Sequence, residues 1–390
     1  MKNLRCGVIG IGNMGTAHAQ SISRGAVAGL SLAAAADPRE DRMAWAKSEL
    51  PAEVAWHQTG EELIAQADLD VVIIATPHYS HPPLAAAAFA KGLHVVIEKP
   101  AGVYTRAVRE MNRAAEAAGK IFAIMYQMRA VPLHQKMREL AQSGEIGEIR
   151  RIHWVATDWY RTQAYYDSGG WRATWAGEGG GVLLNQCPHP LDLLWWIPGL
   201  MPSRVRAFMS FGKYHDIEVE DDVTAYLEYA NGATGVFMAS TGEAPGANRV
   251  QISGDGGSLL LEHGQLTLAR NRVPVSTHLK TARGGFDTPE CWKIAIPVPP
   301  NPGNEHNIIL RNVVEAIRDG KPLLAPGPDG LNGLSISNAM HLSAWTDAWA
   351  PLPVDEDAFM AHLDEKRRNS RHKTGAGQTL DLKASFKGTP

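Results

Sequence analysis

Cysteine is scarce in this chain: Cys6, Cys187 and Cys291 are the only three in 390 residues. Their number is odd and no C-x-x-C pair occurs, so neither a disulfide framework nor a zinc knuckle is indicated and a reducing compartment fits. A basic excess is missing as well. With 38 Lys and Arg against 41 Asp and Glu the formal charge is -3, which is not the footprint of nucleic-acid or anionic-membrane binding. No apolar run reaches membrane-spanning length, and the run in MKNLRCGVIG breaks into glycines too soon for a signal-peptide core. His78, His94, His153 and His263 show no ligand spacing, so no metal is expected. Neither an internal repeat nor a low-complexity block is present. These absences point to a cytoplasmic protein with a small-molecule ligand, no nucleic-acid partner and no membrane.

What is there is ordinary globular composition, 44% hydrophobic and 20% charged, in a chain long enough for two domains. Leu4 to Ile9 reads as a short buried strand, followed by a glycine turn and a helix from about Met14 to Ser23. The unit recurs, with strands at Leu30 to Ala36, Val71 to Ala75 and Val95 to Ile97 and helices at Arg39 to Glu49 and Pro83 to Ala90. A helix at Arg106 to Ala118 and a strand at Ile121 to Tyr126 complete the series. Alternation of this kind calls for a parallel sheet covered on both faces, a dinucleotide-binding α/β domain over residues 1–127.

Beyond Gln127 the pattern changes. Strand-like runs at Ile149 to Trp159, Ser203 to Phe211, Val223 to Tyr229, Thr234 to Ser240, Arg249 to Ser253 and Leu259 to Glu262 are joined by hairpin signals such as Asn231-Gly232 and Asp255-Gly256-Gly257. Helices interrupt at about Leu133 to Ala141, Leu191 to Trp196, Glu305 to Arg318 and Leu331 to Ala348. The expectation is an α+β domain with an antiparallel sheet over residues 128–371. Residues 372–390 read as a polar, glycine-rich tail.

Gly10, Gly12 and Gly15 have G-x-G-x-x-G spacing between a strand and a helix. The first allows the tight turn, the second lets backbone approach a pyrophosphate, and the third allows close packing of helix on strand. Ile11, Asn13 and Met14 fill the loop, and the helix start offers N-H groups and a positive dipole end to phosphates. Asp37 follows Gly15 by 22 residues at the end of the second strand, where a carboxylate takes both ribose hydroxyls. That favours NAD. Arg39 stands two residues on and would partly offset the repulsion between Asp37 and a 2'-phosphate, which keeps NADP open.

Oxidising an alcohol needs a base and a cation near the developing alkoxide. Lys99, in Glu98-Lys99-Pro100, closes the apolar run Leu93 to Ile97 and so sits at the carboxyl end of a parallel strand, where open α/β sheets bind ligands. In GEGGGVLLNQCPHPLD, Asn185, His189 and Asp192 are spaced four and three apart and share a face if helical geometry runs through Pro188 and Pro190. His189 is the best proton acceptor of the three, its unperturbed pKa lying near neutrality.

The combination of GIGNMG, Thr76-Pro77 followed by His81, Glu98-Lys99-Pro100, Trp171-Arg172 and the GGG...H-x-x-D segment resembles the Gfo/Idh/MocA oxidoreductase family, from the first strand to about Arg371. The resemblance implies a Rossmann domain followed by a domain with a large open antiparallel sheet used for oligomer contacts, here a homodimer or homotetramer. It also implies NAD(P)-linked chemistry on sugars, inositols or their derivatives. By position Lys99 and His189 become the catalytic pair. Thr76, Pro77, His81 and Glu98 lie by the cofactor, and Trp171 and Arg172 reach it from the second domain. Many members have aspartate where this chain has Asn185, which cannot relay a proton and is assigned to a substrate hydroxyl.

Between Trp154 and Trp175 the chain is dense in aromatics and arginines: Trp159, Tyr160, Arg161, Tyr165, Tyr166, Trp171 and Arg172. Rings stack on sugar faces and guanidinium forks bind hydroxyls or carboxylates, so Tyr160 and Arg161, with Asp192 and with Tyr126 and Arg129 at the domain junction, are candidate substrate residues. A subunit interface is the alternative, since the same residue types are enriched there. Two rival functions stand beside a sugar or polyol dehydrogenase. One is redox-neutral glycoside cleavage through a transient keto-sugar with bound NAD, and the other is a non-catalytic dinucleotide sensor.

Overall fold

The computed structural model describes residues 2–371; the expected tail at 372–390 lies outside the described residues. The described residues form two compact units, one comprising residues 2–130 with Gly303–Leu334, the other Val131–Pro302 with residues 335–371.

The first unit runs β1 (Leu4–Ile9), α1 (Asn13–Ser23), β2 (Leu30–Ala36), α2 (Glu40–Glu49), β3 (Ala55–His57), α3 (Gly60–Gln66), β4 (Val71–Ile74), α4 (His81–Ala90), β5 (His94–Ile97), α5 (Thr105–Ala118) and β6 (Phe122–Ile124). Every strand pair is parallel, in the order β3-β2-β1-β4-β5-β6. All four residues of β4, VVII, are buried, the continuous apolar run that a strand covered on both faces requires. The order reverses between β1 and β4, so the crevice for a ligand opens at their carboxyl ends, beside the glycine loop. β3 and α3 have no counterpart in the periodicity reading. β3 is only three residues long, but α3 carries a usable signal: Thr59 and Glu62 form a capping box, the Thr59 hydroxyl accepting from the Glu62 N-H and the Glu62 carboxylate from the Thr59 N-H.

The second unit holds α6 (Pro132–Gln142), β7 (Ile149–Ala156), α7 (Gln163–Asp167), α8 (Val182–Asn185), α9 (Pro188–Trp196), β8 (Pro202–Phe211), β9 (Glu220–Tyr229), β10 (Thr234–Ser240), β11 (Asn248–Gly254), β12 (Gly257–Glu262), β13 (Gln265–Asn271), α10 (Val275–Thr281) and β14 (Cys291–Ala295). A nine-stranded sheet, β14-β13-β12-β11-β7-β10-β9-β8-β15, includes a final short strand β15 (Ala350–Pro351). Its neighbours pair antiparallel except β7 and β10, which are parallel. Asn231-Gly232 turns β9 into β10, with Gly232 at φ +83°, a conformation glycine adopts without strain. Alternation along β8 and β9 buries Val205, Ala207, Val223, Ala225 and Leu227 on one face and leaves Phe208 and Tyr226 exposed on the other.

One expectation is corrected here. Residues 303–334 read by chain order as second domain, but α11 (Glu305–Asp319) and the segment after it pack with the first unit. The Ser21 hydroxyl donates to Asn307 Oδ1 at 2.7 Å, the Ile124 N-H donates to the Ala325 carbonyl at 3.1 Å, and Ala123 bridges Pro326. The chain continues through α12 (Gly330–Thr346) and ends the described residues near α13 (Glu356–Arg368).

Candidate active site

The three loop glycines face different demands. At Gly10, φ +88°, an added Cβ would stand 2.7 Å from the Ala75 carbonyl oxygen, and at Gly15 it would stand 1.7 Å from the Gly10 carbonyl oxygen. At Gly12 it would meet nothing within 4 Å. The protein's own packing therefore accounts for two of the glycines, and the open space at Gly12 is room for a ligand. Gly12 is also the N-cap of α1, with no side-chain cap and no acidic residue in the first turn, so the N-H groups from Asn13 and Met14 onward present a positive helix end there. A pyrophosphate fits this donor set.

Asp37, 7% exposed, is tied to the same loop: Oδ2 accepts the Ile11 N-H at 2.7 Å and Oδ1 accepts the Arg39 N-H at 2.9 Å. Each oxygen retains acceptor capacity, which suits a ribose diol. Arg39 is different. Its guanidinium forks onto Asp41 at 3.0 and 2.6 Å, with both side chains largely exposed, so the charge expected to offset a 2'-phosphate is spent on a neighbour.

At the ends of β4 and β5, His81 braces rather than contacts. It is fully buried, with Nδ1 2.8 Å from the Pro100 carbonyl and Nε2 2.8 Å from the Thr76 carbonyl. Burial lowers its pKa despite both carbonyls and Glu98. The expected direct role at the cofactor is thus corrected to one of holding together the Thr76-Pro77 and Lys99-Pro100 turns. The Lys99-Pro100 peptide is cis, and Lys99 is half-buried. Glu98 is buried, its Oε1 lying 2.7 Å from His18 Nε2 and its Oε2 accepting the Lys99 N-H at 3.2 Å. His306 meets the His18 ring edge-on at 5.9 Å. Burial alone would raise the Glu98 pKa, but the hydrogen bond and charge of His18, with the charges of His306 and Lys99, outweigh it and hold the carboxyl at about 2. His18 and His306 are absent from the sequence expectations. His18 had a local signal, three residues past Gly15 on the cofactor helix; His306, on a returning helix, had none.

Tyr126 and Arg129 are also corrected. Both are 1% exposed, and Arg129 Nη1 donates to Asp329 at 2.7 Å and to the Leu324 carbonyl at 3.2 Å, with the Tyr126 ring 5.5 Å from the guanidinium. They brace the first unit.

In the second unit helical geometry does not run unbroken through the histidine segment. Asn185 ends α8, whereas His189 and Asp192 lie one turn apart on α9, both buried. Glu220, fully buried on β9, fixes the start of α8: both its oxygens accept the Gly181 N-H at 2.9 Å, Oε1 accepts the Leu183 N-H at 3.0 Å, and His341 stands 3.1 Å away. Around Asn185 the structure gathers Glu178, Tyr165, Gln186 and Arg172, with Arg172 4.6 Å over the rings of both Tyr165 and Trp171. Arg161 joins from the other side, 5.1 Å over Tyr165 and 5.6 Å over Trp159. A buried pair, Asp221 and His215 at 3.1 Å, supports it through the Arg161 carbonyl, 2.9 Å from His215 Nε2. The aromatic run thus divides. Trp154, Tyr166 and Trp175 go into the core, Tyr160 is half exposed, and Trp159, Tyr165 and Trp171 stay partly accessible.

Residues 4–126 match the family model described as the oxidoreductase family, NAD-binding Rossmann fold, and residues 134–260 match the GFO/IDH/MocA C-terminal domain. The chain belongs to the GFO/IDH/MocA oxidoreductases. As a GFO/IDH/MocA protein it is an NAD-binding enzyme. It is 25% identical to scyllo-inositol 2-dehydrogenase (NAD(+)) of Bacillus subtilis, over 86% of this chain and 92% of that protein. It is 26% identical to levoglucosan dehydrogenase of Pseudarthrobacter phenanthrenivorans, over 90% and 99%. Among solved structures it resembles the WlbA dehydrogenase of Bordetella pertussis, crystallised with NADH and UDP-GlcNAcA, with a TM-score of 0.76 and 25% identity over 91% of this chain and 99% of that one. No helix among the described residues is long and apolar enough to cross a membrane.

Proposed function

We propose that this GFO/IDH/MocA protein is a dehydrogenase that takes a hydride from a hydroxyl-bearing carbon of a sugar, an inositol or a sugar derivative. The observation that carries this reading is the second unit's cluster of partly exposed rings and guanidinium groups, Trp159, Arg161, Tyr165, Trp171 and Arg172, adjoining the buried amide and imidazole segment. Relatives that act on an inositol and an anhydrosugar, and one crystallised with a nucleotide sugar acid, support the same class.

In this reading bound NAD supplies the hydride acceptor. The N-H groups of the Gly10–Gly15 loop hold its phosphates, and Asp37 takes the ribose diol. Lys99 provides the cation that stabilises the developing alkoxide, and Glu98, held ionised by His18, fixes the backbone from which Lys99 projects. His189 accepts the hydroxyl proton, Asp192 shares its helix face, and Asn185 binds a second hydroxyl. Self-assembly through the sheet face that exposes Phe208 and Tyr226 belongs to the proposal as well.

A panel of sugars, inositols, sugar acids and glycosides with NAD, followed by nicotinamide absorbance and by substrate loss, tests it. NADH accumulating in proportion to product is expected, with NAD preferred over NADP. Glycoside consumed without NADH would move the assignment to redox-neutral cleavage, and no turnover of any compound would move it to a sensor.

A further inference from the structure

Glu178 is a buried carboxylate for which the reaction proposed above has no use. It is 1% exposed, and it accepts the Ala173 N-H on Oε2 at 2.6 Å and the Asn185 carboxamide on Oε1. Burial raises its pKa, Arg172 and the two donors oppose the rise, and Glu220 adds to it. The Asn185 carboxamide turns its NH2 toward Glu178, the orientation that a carboxylate, which only accepts when ionised, calls for. That leaves the Asn185 carbonyl oxygen for the other side, where the Tyr165 hydroxyl and Gln186 Nε2 each donate to it at 3.2 Å. Tyr165 in turn accepts from Arg172 Nη1 at 2.9 Å. The donors therefore run one way, from Arg172 through Tyr165 and Asn185 to Glu178.

We infer that Glu178 is a positioning residue: by deciding which end of the Asn185 carboxamide faces Tyr165 and Arg172, it sets the hydrogen-bonding polarity of the cluster that receives the substrate. The inference rests on the sugar-site reading of that cluster. The backbone makes the polarity obligatory. Ala173 sits at φ +54°, its N-H is a fixed buried donor, and any side chain at 178 must give it an acceptor. In Glu178→Gln the amide oxygen goes to Ala173 and the NH2 faces Asn185, whose carboxamide reverses and turns a donor toward Tyr165 and against the Gln186 NH2. In Asn185→Asp two carboxylates meet in one buried place and must share a proton. The double exchange, Glu178→Gln with Asn185→Asp, sets an NH2 against a carboxylate again and restores an acceptor to Tyr165.

The test measures kcat/KM for the best compound of the sugar panel and, independently of turnover, the side-chain NH2 signal of Asn185 in protein labelled with 15N-asparagine, assigned by its loss in Asn185→Asp. Glu178→Gln should lose on the order of tenfold in kcat/KM, as for a misdirected buried hydrogen bond, while Tm stays within about 5 °C. Asn185→Asp should lose at least as much, and the double exchange should return to within about threefold of the original. A double variant no better than the worse single, or a Glu178→Gln protein with unchanged kcat/KM, overturns the inference. The Asn185 NH2 signal should also move with pH as Glu178 titrates beside Arg172 and Glu220, and stay still in Glu178→Gln. A still signal in the original protein overturns the inference even if sugars turn over. A moving signal in a protein that turns over no sugar upholds Glu178's hold on Asn185 and removes only the sugar assignment.

Discussion

The two units build their parts of the chemistry from different material. In the first, the groups proposed to meet the cofactor are mostly backbone: the N-H groups at the start of α1 and two turns whose carbonyls, at Thr76 and Pro100, each lie 2.8 Å from a His81 ring nitrogen. In the second, the proposed site is made of side chains held by elements far apart in sequence, as when Glu220 reaches back 39 residues to cap the loop at Gly181. A backbone site depends on where the chain can go, so it demands glycine and proline at fixed spacing. A side-chain site depends on who arrives beside whom. The first kind leaves a motif and the second leaves only composition.

The sharpest way to break this contrast is to remove the side chain from each unit that is proposed to act on the substrate hydroxyl, the Lys99 cation and the His189 base. Lys99→Ala and His189→Ala should each lower turnover by roughly 10² to 10⁴, the range for a positioned acid, base or charge, with NAD affinity measured by fluorescence titration nearly unchanged. Loss of NAD binding in Lys99→Ala would mean that the first unit's site leans on side chains after all.

The glycine loop offers a comparison within the first unit. Gly15→Ala drives a methyl into the Gly10 carbonyl and should cost about 3 kcal/mol of stability or more, the upper end of overpacking, along with NAD binding. Gly12→Ala has space on the protein side and should leave the urea midpoint unchanged while weakening NAD at least about tenfold, or about 1.4 kcal/mol. Equal losses of stability in the two variants would show that Gly12 is a packing glycine and not a ligand-facing one.

Legibility followed the same divide. The parallel strands, the glycine loop, Asp37 and Glu98-Lys99-Pro100 stand out because burial on both faces and tight turns constrain neighbouring residues. β3 is too short for a period, and β14 is exposed at all five positions, so neither could stand out by alternation. Arg129 misled because a fully buried arginine is rare, and Asp329, its partner, lies 200 residues on in a segment whose return to the first unit nothing local announces. Glu178, between two glycines, and Glu220, in an acidic run, stood in plain view, yet neither setting marks which N-H groups the carboxylate will meet.

Glu220 gives a smaller effect in the second unit. Glu220→Ala strands the Gly181 and Leu183 N-H groups in a buried place and should cost about 2 to 3 kcal/mol in urea melts, at roughly 1 to 3 per orphaned donor with some rehydration. Turnover should fall too, because α8 carries Asn185. A variant as stable as the original would mean that water replaces the carboxylate easily, and the segment would not be the rigid side-chain frame described.

The smallest effect tests a place where the first unit does rely on buried side chains. Because the folded Glu98 carboxyl lies at about 2, below its ordinary 4.5, the stability it contributes is complete above pH 4.5 and is lost as pH falls toward 2. His18→Leu removes the hydrogen bond but leaves the burial, which by itself pushes the carboxyl up. The gap in unfolding free energy between the original and His18→Leu should therefore be largest at pH 5 and above and shrink by about 1 kcal/mol by pH 3. A gap that does not change with pH would show that His18 acts through packing alone, and that something other than His18 keeps Glu98 ionised beside Lys99.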